Sequence, residues 1–262
     1  MKILITGASS GIGAEFARQY AVADNELILL ARREEKLLQL QQELQGKCRS
    51  IQLIRVDVRD FELLQKKLSQ LEDIDLVILN AGISLGHTHT NIPTIAEFKN
   101  LYDVNLLSQH AVLEVLLPKM QARQNGQIVF ISSLSSLFTM PSAKVYASSK
   151  RALNAYAEGI RHKYYKDGIS VTLILPGFIR SELTDKNDFF MPFLLETDAG
   201  VKLMKKAIEQ RKIFYAFPLR FYLLILLIRI LPNKLLFLLT SYINSKEKPI
   251  FRALTSKFRH YI

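Results

Sequence analysis

The sequence predicts an α/β fold, a doubly wound and mostly parallel sheet of about seven strands with helices on both faces. Three observations carry this expectation. Short apolar runs alternate with more polar segments of helix length. The runs are nearly continuously apolar and lack in–out alternation, the pattern of strands buried on both faces. A chain of 262 residues with 49% hydrophobic residues can fill one large core, and no Pro/Gly/Ser-rich linker divides it.

KILIT is the first strand, and its short run passes straight into glycine-rich sequence, which reads as a core strand and not a secretion signal. A helix is expected from Gly11 through AEFARQYA. ELILLA, Glu26 to Ala31, is the second strand, and REEKLLQLQQEL the polar-faced helix after it. IQLIRVDV is the third strand, followed by a short helix over residues 60–70. DLVILNAG, GQIVFISS and GISVTLILPG are the fourth, fifth and sixth strands, and KIFYAF begins a last one ending at Pro218. Residues 181–199, polar and then aromatic, follow the sixth strand and its Pro176–Gly177 turn. Ligands in such folds bind outside the C-terminal strand ends, so this stretch is a candidate lid, with a surface helix as the alternative.

The net charge of +11 is unevenly placed. Residues 1–201 hold 22 basic and 22 acidic residues, whereas 202–262 hold 13 basic residues and only Glu209 and Glu247 as acids. The basic region contains LRFYLLILLIRIL, thirteen residues between Pro218 and Pro232. As a helix it would span about 20 Å, short of the roughly 20 residues a bilayer core requires. Arg220 and Arg229 fall on opposite sides of it, and LLFLLTSYI extends the apolar character. The expectation is a hydrophobic hairpin with basic edges resting on a membrane through residues 213–243. Packing on the core or on a sister subunit is the alternative. Nucleic acid is not expected, because the basic residues surround YLLILLI and no polar, aromatic-studded groove. The organisation is thus a catalytic domain over 1–217 including the lid, and a hydrophobic, basic extension over 218–262. The single cysteine, Cys48, excludes an internal disulfide, and the histidines, with His87 and His89 in a loop, form no metal-ligand pattern. A cytoplasmic protein, at the cytoplasmic face of a membrane, is expected.

TGASSGIG, Thr6 to Gly13, joins the first strand to the first helix. Gly7, Gly11 and Gly13 permit a tight turn and let a pyrophosphate approach the backbone, where the helix N-terminus presents free N–H groups. Alone, this GxxxGxG spacing could be a structural turn. The second strand ends in Ala31, Arg32 and Arg33 without an acid. Guanidiniums there suit the 2′-phosphate of NADP, whereas an acid would suit the ribose of NAD. Arg32, nearer the strand end, is the stronger candidate; the alternative makes both arginines surface charges paired with Glu34 and Glu35. Asp57 could accept from an adenine amino group or cap the next helix. Asn80, Ala81 and Gly82 are a small-residue exit from the fourth strand.

Tyr146 and Lys150 are four apart in YASSK, hence on one helical face, and Ser133 precedes the tyrosine by thirteen residues. A phenol with a pKa near 10 is a poor acid or base at neutral pH, and an adjacent ammonium would lower it. Serine and tyrosine together can hold a carbonyl oxygen and deliver its proton. Ser132, Ser135 and Ser136 compete for the serine's role.

On TGASSGIG, Asp57, NAG at 80–82, Asn105, Ser133, YASSK and PG at 176–177, the sequence resembles the short-chain dehydrogenase/reductase family, over residues 1–217. The resemblance implies a Rossmann-like fold and NADP(H) held along Gly7, Ser9, Ser10, Gly11, Ile12, Gly13, Arg32, Arg33, Asp57, Val58, Asn80, Ala81 and Gly82. At the reacting end it implies Tyr146, Lys150, Pro176, Gly177, Ile179 and Ser181. Ser181 stands where the family usually has threonine. The resemblance selects Ser133 to orient the carbonyl, Tyr146 as the acid or base, and Lys150 to bind the ribose and lower the tyrosine pKa. Asn105 would hold a water in a relay to Lys150. It also implies a homodimer or homotetramer assembled through helices near 100–122 and 145–166. With Phe178, Phe189, Phe190, Met191 and Phe193 near the lid, the expected reaction is hydride transfer to or from a carbonyl or secondary alcohol of a lipophilic substrate. A cofactor-binding scaffold, or an epimerase or dehydratase on the same fold, is the alternative.

Overall fold

Seven strands pair in the order β3-β2-β1-β4-β5-β6-β7: β1 (Lys2–Thr6), β2 (Glu26–Ala31), β3 (Ser50–Arg55), β4 (Leu76–Leu79), β5 (Gly126–Ile131), β6 (Ile169–Pro176) and β7 (Phe214–Phe217). Every one of these pairings is parallel. The computed structural model describes residues 1–85, 92–185, 187 and 191–246. His87, His89, Phe189, Phe190 and the chain after residue 246 lie outside the described residues.

The apolar runs become strands because both faces are covered. Along β1, Leu4 points into one core with Ile28, Val77 and Ile128, while Ile3 and Ile5 point into the other with Leu27, Leu29 and Ile78. The first core is closed by α3 (Phe61–Ser69), α5 (Ser108–Ala122) and α6 (Lys144–Tyr164). The second is closed by α1 (Gly11–Tyr20), α2 (Glu34–Leu44) and α7 (Thr197–Glu209). Each fully buried Leu or Ile contributes about 1.5–3 kcal/mol. Local signals agree with this layering. Leu37, Leu40 and Leu44 form the buried stripe of α2, whose first turn carries Glu34 and Glu35 against the helix dipole. Asp60 caps α3 by accepting from the Leu63 N–H, so the cap falls to Asp60 and not to Asp57.

The chain winds outward from β1 to β3 and then returns to β4 on the other side of β1. Loops leaving β1 and β4 diverge there, opening a crevice at the C-terminal edge of the sheet. Where one helix was expected over 100–122, the chain forms α4 (Ile95–Tyr102) and α5, joined by a π-helical turn over Asp103–Leu107. The wider turn carries Asn105 into the interior, where it is fully buried.

β7 leads into α8 (Leu219–Ile230) and α9 (Asn233–Lys246), separated at Pro232, which cannot donate a helical N–H. α8 packs inward through Phe221, Tyr222 and the buried Ile225. Its Leu219, Leu223, Leu227 and Ile230 form an exposed stripe, extended on α9 by Leu235, Phe237 and Leu238. Among the described residues, no helix is long and apolar enough to cross a membrane.

Candidate active site

The crevice has a volume of about 700 Å³. Of the site residues expected from sequence, all line it except Gly13 and Asn105, which stand behind its wall.

Its floor at one end is the β1–α1 turn. Gly7 and Gly11 have φ of +68° and +51°, the left-handed region that glycine enters freely. Thr6 Oγ1 accepts the N–H groups of Asn80 and Ala81, each at 3.0 Å, and Asn80 Nδ2 donates to the Thr6 carbonyl at 3.1 Å. These bonds tie the ends of β1 and β4 together beneath the crevice. A Cβ on Gly13 would lie 2.2 Å from the Gly7 carbonyl oxygen, so only glycine lets α1 dock this close to the turn. The first N–H groups of α1 are thereby brought to the crevice as an anion-binding end.

Arg33 lies directly over this turn. It donates to Ser10 Oγ at 2.5 Å and Ser9 Oγ at 3.2 Å, and its Nη1 pairs with Glu182 at 2.8 Å. Arg32 is more exposed and faces Asp57 at 3.6 Å. Both arginines line the crevice, but Arg33 alone of the two bonds the serines of the turn. Neither arginine takes the partners considered from sequence, since Glu34 pairs with Arg55 at 2.8 Å. Asp57 accepts from Arg59 at 2.6 Å, and this contact holds its carboxyl down at about 2. Val58 continues the wall beside it.

At the other end, β5 delivers Ser133 and α6 presents Tyr146 and Lys150 one turn apart. Ser133 lies beside Tyr146 and acts to lower its pKa. Ser133 Oγ accepts from the Ser135 hydroxyl at 2.9 Å and the Ser135 N–H at 3.2 Å. Lys150 is 3% exposed, and its Nζ donates to the Ile131 carbonyl at 2.9 Å and lies 5.9 Å from the centre of the Tyr146 ring. Burial lowers its pKa to about 8. Burial also pushes Tyr146 up to about 12, partly offset by the Ser133 hydrogen bond. In the chain alone, burial of the phenol is the largest influence on it.

Asn105 braces the same region. Its Oδ1 accepts the Ile83 N–H at 2.8 Å, and its Nδ2 donates to the Ile83 carbonyl and to Ser149 Oγ, each at 3.0 Å. The amide therefore locks the loop after β4 to α6. A Cβ on Gly82 would lie 3.4 Å from Lys150 Nζ and 3.5 Å from Asn105 Oδ1, so glycine there admits both groups to one corner. The contacts of its side chain make Asn105 a brace between this loop and α6.

Beyond β6, Pro176, Gly177 and Phe178 border the crevice, and Ile179 is buried beneath it. Ser181 and Thr184 close a tight turn, with the Ser181 N–H donating to Thr184 Oγ1 at 2.8 Å. Phe193 tilts against Phe221 of α8, and neither it nor Met191 lines the crevice. Sequence reasoning missed Glu182, Lys36 and Arg59, and weighed Ser135 only as a rival to Ser133. No spacing rule links Glu182 to Arg33, since the two are 149 residues apart.

The short chain dehydrogenase pattern matches residues 1–189. An uncharacterized oxidoreductase of Myxococcus xanthus is 32% identical over 236 residues, covering 88% of this chain and 93% of the relative. A very-long-chain 3-oxoacyl-CoA reductase-A of Danio rerio is 30% identical over 190 residues, 69% of this chain and 59% of the relative. A short-chain dehydrogenase from Sphingobium yanoikuyae, solved in complex with NADPH, superposes with a TM-score of 0.78 at 24% identity, covering 83% of this chain and 88% of that one. The glycine turn, the serine after β5 and the Tyr–Lys pair on α6 thus occur in a chain whose sequence and fold both match one group of oxidoreductases, and the protein belongs to the short-chain dehydrogenase family.

Proposed function

We propose that the protein transfers hydride between NADP(H) and a carbonyl or secondary alcohol of a lipophilic substrate. The observation that carries this reading is one continuous crevice with Arg33, Ser9 and Ser10 at one end and Ser133, Tyr146 and Lys150 at the other. The fit to a dinucleotide rests on shape as well as charge. Side chains are missing at Gly7, Gly11 and Gly82, where a Cβ would meet Ala81, Ser181 or Lys150. Gly7, Ser9, Ser10, Gly11 and Ile12 would hold the phosphates. Arg33, with Arg32 behind it, would hold the added phosphate, and Asn80 to Gly82, Lys150 and Pro176 to Ser181 the nicotinamide half. The cofactor, when bound, supplies or accepts the hydride.

The remaining work falls to the chain. Ser133 orients the substrate oxygen, and Tyr146 carries the proton that this oxygen gains in reduction. Burial holds the phenol up at about 12, so it carries its proton across the physiological range, and release of that proton depends on stabilisation of the phenolate by its neighbours. Lys150 draws negative charge toward the tyrosine oxygen as the proton leaves.

A pH dependence follows from the lysine. Its charged form is lost as pH rises through about 8, so reductive kcat/KM is expected to fall above that pH. A profile flat to pH 10 would remove Lys150 from the mechanism. The unfolded chain keeps this proton up to its ordinary 10.5, so folding stability gains from this group between about 8 and 10.5 as pH rises.

The exposed leucine stripe of α8 and α9, edged by Arg220, Arg229 and Lys234, supports peripheral attachment to the cytoplasmic face of a membrane. Because Ile225 and Phe221 pack on the catalytic body, point changes test this better than truncation. Leu227→Glu with Phe237→Glu is expected to abolish co-sedimentation with anionic liposomes and leave the melting temperature within about 2 °C, as surface changes do. Unchanged sedimentation would refute the attachment. Assembly into a homodimer or homotetramer through α5 and α6 belongs to the same reading.

A further inference from the structure

At the adenine end of the crevice, a carboxylate from beyond β6 bridges two cations from the other half of the chain. Glu182 Oε2 accepts from Arg33 at 2.8 Å, and Oε1 accepts from Lys36 at 2.5 Å. The pair of cations pulls the carboxyl down to about 2, Lys36 contributing most. Glu182 stands in the tight turn over residues 181–185, where the Thr184 and Asp185 N–H groups both donate to the Ser181 carbonyl, at 2.9 Å and 2.8 Å. This turn lies across the start of α1: the Ser181 Cβ is 3.1 Å from where a Cβ on Gly11 would be. The strap therefore passes over the phosphate turn and is fastened at its outer side by Glu182.

A single exposed ion pair would mean little. Here one carboxylate takes two cations, and one of these cations also donates to both serines of the phosphate turn. A phosphate monoester seeks the same forked N–H donors as a carboxylate. The two anions compete for one place.

We propose that Glu182 is a built-in competitor for the Arg33–Lys36 subsite, and that it sets how strongly the protein distinguishes a 2′-phosphorylated dinucleotide from an unphosphorylated one. The inference rests on the reading that Arg33 receives the ribose phosphate. The phosphorylated ligand displaces Glu182 and unfastens the strap, whereas the unphosphorylated ligand leaves the strap fastened.

Calorimetric titration of the whole protein with NADPH and with NADH tests this in wild type, Glu182→Gln and Arg33→Ala. Glu182→Gln is expected to tighten NADPH roughly three- to fivefold, the scale of an exposed ion pair, and to change NADH by less than about twofold. Backbone amide exchange over 181–185 is expected to quicken with NADPH and not with NADH. Unchanged or weaker NADPH binding in Glu182→Gln, or an equal gain for both dinucleotides, overturns the proposal. If Arg33→Ala removes the preference for NADPH while Glu182→Gln does nothing, only the competition fails. If Arg33→Ala leaves the preference intact, the assignment of the ribose phosphate to Arg33 fails, and the competition with it.

Discussion

Tyr146→Phe is expected to lower kcat for reduction of a bulky ketone by roughly 10²- to 10⁴-fold, the usual contribution of a positioned acid, with KM changed by less than about threefold. The substitution removes one oxygen from the crevice and nothing from its walls. The ring stays on α6 beside Lys150, and Ser133 keeps its bonds to Ser135. NADPH affinity, read by fluorescence titration, should therefore survive while turnover is lost. That split separates a chemical role from a structural one. A mutant turning over at the wild-type rate would mean that another group delivers the proton, and the proposed reaction would have to be abandoned.

Gly13→Ala is the second large effect, and it acts on shape. The added methyl would sit 2.2 Å from the Gly7 carbonyl oxygen and 2.7 Å from Asn80 Nδ2. Neither can retreat easily, because Asn80 is bonded to the ends of β1 and the Gly7 backbone forms the turn itself. Overpacking of this kind costs about 1–3 kcal/mol, or roughly 3–10 °C in melting temperature for a chain of this size. Moving α1 away also withdraws its first N–H groups from the crevice, so NADPH binding should weaken at least about tenfold, the scale of one or two hydrogen bonds to charged groups. Gly159→Ala is the matched control: it lies within α6 with nothing within 4 Å of the new methyl, and should stabilise by about 0.5–1 kcal/mol. Comparable losses in the two variants would show that the docking of α1 has no special tightness.

Most of the sheet was legible because strands buried on both faces leave long apolar runs, and the two ends of the crevice were legible because their chemistry is local in sequence. TGASSGIG is one turn and YASSK one helical face. What escaped was non-local. The π-helical turn at Asp103–Leu107 has no composition of its own, so the helix over 100–122 reads as continuous until Asn105 is seen buried against Ile83 and Ser149. Which arginine meets Ser9 and Ser10 depends on where the backbone turns after β2, which strand-end proximity does not encode. The i, i+4 spacing of Tyr146 and Lys150 reveals neighbours but not desolvation, and both groups are buried. The extension looked separable in sequence, yet Ile225 is 4% exposed and seated in the core.

Phe221 gives that last packing a kinetic meaning. Its ring stacks on Phe178 at 5.8 Å and tilts against Phe193 at 5.9 Å, and a Cβ on Gly177 would come within 3.2 Å of it. Phe178 is also a wall of the crevice. The helix that carries the leucine stripe thus shares a side-chain contact with the rim of the crevice. On the proposed membrane attachment, a tilt of α8 would move that rim together with the stripe, and turnover would then depend on the lipid or detergent in the assay.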